Sequence, residues 1–137
     1  MIQFQSENTA LPDVNLRLVR AWIQQVAASH GKKVKAIHYV FCSDAEMLDC
    51  NRKYLNHDYY TDIITFDYSQ DEWISGDIYV GTDTVRSNAD MLRVAFTDEW
   101  LRVVIHGILH LCGFKDKTPE EAQEMRRLEE AALQLIK

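Results

Sequence analysis

The chain has 137 residues, 47% of them hydrophobic and 26% charged, with a formal net charge of −6. That length fits one domain with a real core, and residues 1–137 are read as a single domain. The net negative charge argues against grip on nucleic acid by global charge, and no apolar run reaches the roughly 18 residues a membrane span needs.

Residues 2–6 read as a short strand. From Val14, apolar residues recur at Leu18, Trp22 and Val26, with Val19 and Ile23 beside them. This is the stripe of an amphipathic helix, and Gly31 ends it. In residues 34–42 Ile37, Tyr39 and Phe41 alternate, as in a strand. Ser43 followed by Glu46 is a capping box, opening a helix through about Leu55. Residues 61–68 and 76–82 read as two adjacent strands joined by a polar loop, and a helix follows from about Asp83 to Leu92.

Thr97 is placed to cap the next helix, with Asp98 and Glu99 in its first turn. That helix runs to Cys112. Thr118, Pro119 and Glu121 then open the last one. The order β-α-β-α-β-β-α-α-α predicts the α+β class: a mixed four-stranded sheet covered by about five helices. Three cysteines without a C-x-x-C pair suggest reduced thiols, and no secretory signal is visible, so the expected location is cytoplasmic.

The helix before Cys112 is apolar nearly all round, as a buried central helix would be. Trp100, Val103, Val104, Gly107, Ile108 and Leu111 share one face. Leu101, Ile105, Leu109 and Cys112 cover most of the rest. One polar line remains, Glu99, Arg102, His106 and His110, at steps of three and four. Two imidazoles four apart can point at one metal ion. Gly113 can take a left-handed conformation, end the helix and let the chain turn back. Asp116 then comes within reach as a third ligand. Two His, one Asp and an open fourth position describe a catalytic site better than a structural one. The spacing is protease-like, but Gly107 stands where a zinc peptidase carries its glutamate base.

Three blocks resemble the YbeY family, the bacterial rRNA-maturation endoribonucleases. "HGILHLCGF" is similar to the family's H-G-x-L-H-L-x-G-[YF]. "YLNHDYYTDIITF" (54–66), preceded by Asn51, is similar to its L-N-x-x-Y…D-x-P-T-[DN]-V-L-S-F block. The third block is Gly76-Asp77-Ile78. The resemblance implies a metal-dependent nuclease, with zinc on His106 and His110, acting on small-subunit rRNA and ribosomal particles. Its cuts would fall in single strands. Three positions depart from the family pattern. Asp116 stands where the third ligand is usually histidine, Leu55 replaces an arginine, and Tyr60 replaces a proline. Asp77 is a candidate base or partner of a ligand. His57 and Asp62 are candidates for substrate binding, His57 as a cation near the missing arginine. A zinc peptidase and a non-catalytic, ribosome-associated metal module are the competing readings.

Overall fold

The computed structural model describes residues 1–7, 9–50, 52 and 62–136. Its elements follow the predicted order: β1 (Ile2–Ser6), α1 (Leu16–Ser29), β2 (Lys33–Cys42), α2 (Asp44–Cys50), β3 (Ile63–Asp67), β4 (Trp73–Gly81), α3 (Thr82–Leu92), α4 (Phe96–Leu111) and α5 (Pro119–Ile136). The sheet order is β1-β2-β4-β3. β2 pairs in parallel with both β1 and β4, and β3 closes one edge antiparallel to β4. The fold is therefore α+β with a mixed four-stranded sheet, as expected.

Both capping boxes form. The Ser43 backbone N–H donates to Glu46 Oε1 at 3.1 Å, and the Glu46 N–H donates to Ser43 Oγ at 3.4 Å. Thr118 and Glu121 exchange the same pair of bonds at 3.0 and 3.1 Å. The start of α4 differs from expectation. Thr97 does not cap it; the helix begins at Phe96, with Ala95 as an N-cap that offers no side-chain bond. α1 also starts later, at Leu16, because Asn15 Oδ1 accepts from the Arg17 and Leu18 N–H groups. Leu18 leaves the core stripe and is 55% exposed, while Val19, Trp22, Ile23, Val26 and Ala27 are buried. β4 begins at Trp73, three residues before the expected Gly76, because Trp73, Ile74 and Ser75 register with the start of β2. The stretch expected to carry α2 on to Leu55 lies outside the described residues, apart from Arg52.

Alternation along β4 sorts the two sheet faces. Ile74, Gly76, Ile78 and Val80 point into the main core; Trp73, Ser75, Asp77 and Tyr79 point away. Helices α1 and α4 cover the core face, α1 against β2 and α4 against β3 and β4, and α5 packs on both helices. Ile105, Ile108 and Leu109 are fully enclosed, which makes α4 the buried central helix that its composition implies. Tyr39 ties it to the sheet, its hydroxyl donating to Val104 O at 2.7 Å. The Trp22 indole N–H donates to Ala132 O at 2.8 Å, joining α1 to α5. On the opposite face, α2 covers one end through Met47, packed with Cys42 and Ile64.

Gly107 explains how closely α4 sits on the sheet. A Cβ at this position would lie 2.9 Å from Ile78 Cδ1 and 3.3 Å from Ile63 Cδ1. The residue that would carry a protease's base therefore faces the sheet, with no room for a glutamate.

Candidate metal centre

The polar line of α4 opens into a cavity of about 680 Å³ between α4, β3 and α5. Glu99, Arg102, His106 and His110 line it from α4. Asp62, Ile63, Thr65 and Asp67 line it from β3 and its lead-in. Asp116 and Glu129 complete the wall.

The end of α4 places Asp116. Gly113 has φ +105°, its N–H donates to His110 O, and the Phe114 N–H reaches back to Leu109 O. This paired closure is a Schellman motif, and it needs a positive φ at Gly113. The turned-back chain brings Asp116 Oδ2 to 3.4 Å from His106 Nε2 and 3.5 Å from His110 Nε2. One ligand-type atom from each of the three residues lies within 4.8 Å of the others.

Each imidazole is held through its other nitrogen. His110 Nδ1 lies 3.0 Å from Phe114 O, and His106 Nδ1 lies 2.6 Å from Glu129 Oε2. A carbonyl can only accept, so Nδ1 of His110 carries the proton and Nε2 keeps its lone pair for the cavity. A carboxylate at Glu129 imposes the same tautomer on neutral His106. Histidine ligands oriented by a carboxylate or carbonyl behind them are the usual arrangement at metal sites. The donor chemistry therefore fits a divalent ion such as zinc: two oriented nitrogens and one carboxylate oxygen.

Arg102 braces the wall. Its guanidinium bonds Glu129 Oε1 at 3.1 Å and Glu130 Oε1 at 2.5 Å, and its Nε lies 3.5 Å from Glu99 Oε1. The Glu99 contact is an ion pair without hydrogen-bond geometry, since Oε1 is buried with no hydrogen-bond partner among the described residues. Burial raises the Glu99 carboxyl above its ordinary range, against the pull of Arg102. Burial likewise raises Asp62, opposed by the nearby His106. For His106 burial disfavours the cation, but the Glu129 hydrogen bond and charge, with Asp116 and Asp62 behind them, outweigh it and raise its pKa.

The structure brings His106, His110, Asp116 and Asp62 to one cavity. It separates Asp77 from them. Asp77 points to the opposite sheet face, where His38 Nδ1 lies 3.9 Å away and the Tyr68 hydroxyl donates to it at 3.4 Å. The alternation that turns Gly76 and Ile78 toward α4 turns Asp77 away from it. His57, Leu55 and Tyr60 lie outside the described residues.

Glu129 is the site residue that the sequence reading misses. Its signal was present: a lone acid, 6% exposed, within the buried stripe Met125, Leu128, Ala132 and Leu133 of α5. An unpaired buried acid is costly, so such a position implies a partner on a facing element.

The family profile described as Endoribonuclease YbeY matches residues 1–137. This chain belongs to the YbeY endoribonuclease family. It is 51% identical over 132 residues to the Endoribonuclease YbeY of Bacteroides thetaiotaomicron, covering 96% of each chain. It is 52% identical over 136 residues to that of Phocaeicola vulgatus, covering 99% of each. The solution structure of TM1509 from Thermotoga maritima has the same fold, with TM-score 0.71 and 26% identity over 99% of this chain and 89% of that one. No helix among the described residues of this YbeY family member is long and apolar enough to cross a membrane.

Proposed function

We propose that the protein is a metal-dependent endoribonuclease that cuts single-stranded segments of small-subunit rRNA during ribosome maturation and quality control in the cytoplasm. The observation that carries the metal half of this reading is the convergence of His106 Nε2, His110 Nε2 and Asp116 Oδ2 on one cavity. Family membership carries the RNA half. Zinc is the ion that best suits two imidazoles and a carboxylate. When bound, it supplies the Lewis-acid charge that phosphodiester cleavage uses.

The chain's own residues supply position and proton handling. Glu129 and the Phe114 carbonyl fix the two imidazoles. Asp62 stands on the cavity wall with a carboxyl raised by burial, and that favours a proton-handling role there. Asp77, across the sheet, is not placed for that role. His57 remains the proposed substrate-binding cation of the family block. A peptidase would need its base at position 107, which faces the sheet.

The test compares metal-loaded wild type with His106→Ala on single-stranded RNA, duplex RNA and casein. Single-stranded cleavage that disappears in the variant supports the proposal. Casein cleavage would favour a peptidase. Ribosome binding without cleavage would favour a non-catalytic module. Asp116→Ala should lower metal content while the far-UV spectrum stays native.

A further inference from the structure

The cavity does not use the other sheet face, and part of that face has the chemistry of a nucleic-acid surface. Beside the β3–β4 hairpin, Tyr68 is 59% exposed and Trp73 is 43% exposed. Burying an aromatic ring is normally favourable, so two large open rings side by side need a reason. Both line one depression with Lys35, Gln70, Asp71 and Ser75. The Lys33 ammonium sits 5.3 Å from the centre of the Trp73 ring. Lys32 reaches the hairpin tip, donating to the Asp71 carbonyl at 3.3 Å. Two acids lie nearby: Asp77, with His38 and the Tyr68 hydroxyl beside it, and Asp71, at the hairpin tip on the wall of the depression.

The patch begins one residue beyond the cavity wall. β3 is an edge strand, and its last residue, Asp67, lines the cavity wall. The next residue, Tyr68, lies on the opposite face.

We propose that this face is a single-stranded RNA platform, where bases stack on Tyr68 and Trp73 and phosphates meet Lys33 and Lys35. Exposed rings with adjacent cations are how sequence-tolerant single-strand binding is built, since every base offers a stacking face. The platform rests on the RNA reading of the cavity. It adds an anchor outside the reacting centre, so it sets affinity and single-strand preference rather than the cleavage step.

Trp73 is its own reporter. The other two tryptophans, Trp22 and Trp100, are buried, so acrylamide quenching reads mainly Trp73. The probe is a 2′-O-methyl single-stranded oligonucleotide, checked by gel to be intact after the measurement, with its duplex as control. The single strand should shield Trp73 from acrylamide and the duplex should not. Trp73→Ala and Tyr68→Ala should each weaken oligonucleotide binding by about tenfold. In cleavage assays they should raise KM and leave kcat within about twofold, and Trp73→Phe should restore most of the loss. No shielding by the single strand, or unchanged binding in both alanine variants, overturns the platform. Wild-type RNA cleavage without shielding rejects the platform alone, whereas wild-type protein that cleaves no RNA rejects the function proposed for the cavity.

Discussion

Glu129 of α5 holds His106 of α4 through a 2.6 Å contact between Oε2 and Nδ1, and its other oxygen is gripped by Arg102. The candidate ligand is thus oriented by a neighbouring helix. Glu129→Gln keeps the shape and removes the charge. It should weaken zinc binding by about 10- to 100-fold, the usual effect of losing such a partner. Chelator competition measures it. An unchanged zinc affinity in the variant would show that Glu129 only packs α5.

The same pair sets a pH dependence in the metal-free protein. His106 has its folded pKa raised above the unfolded value of about 6.5. Its protonated form therefore contributes stability that is fully present below about pH 6.5 and is lost as pH rises through the raised value. Zinc competes for that proton, so zinc binding near neutral pH should release protons and weaken as pH falls. Calorimetry in two buffers of different ionisation enthalpy counts them. Zinc binding with no proton release would contradict the raised pKa.

Gly107→Ala tests how tightly α4 meets the sheet. The added methyl would sit 2.9 Å from Ile78 Cδ1, so α4 or Ile78 must shift. A loss of about 1–3 kcal/mol is expected, as for other overpacked cores. Denaturant melts measure it. Gly107→Glu should lose the fold and should not gain peptidase activity.

Cys112 caps α4 two residues after His110, and burial pushes its thiol up to about 11. The thiolate is the reactive form, so alkylation at pH 8 should be far slower than for an ordinary cysteine of pKa about 8.5. Peptide mapping after timed iodoacetamide treatment reads the rate at this position. Rapid labelling there would place the thiol in a more open setting.

Local rules made much of the fold legible. The capping boxes at Ser43 and Thr118 declare themselves in four residues each. The polar line on α4 and the glycine after it need only helical geometry and a positive φ. What stayed hidden is tertiary. Period-two alternation says that Asp77 opposes Ile78, but only the packed sheet says which of those faces meets α4. Trp73 joins β4 because β2 lies beside it. Glu129 acquires its role only when α5 folds back onto α4. Thr97 is the natural cap by residue type, and the cap falls two residues earlier, at Ala95, because Phe96 packs against the core.

His106, His110 and Asp116 are proposed to hold an ion on which RNA cleavage depends. The most direct measurement strips the wild-type protein with a chelator and titrates zinc back, following bound metal and single-stranded RNA cleavage in the same samples. The expected result is no cleavage when stripped, with activity rising in proportion to bound zinc until one ion is held per chain. Undiminished cleavage by the stripped protein would contradict it.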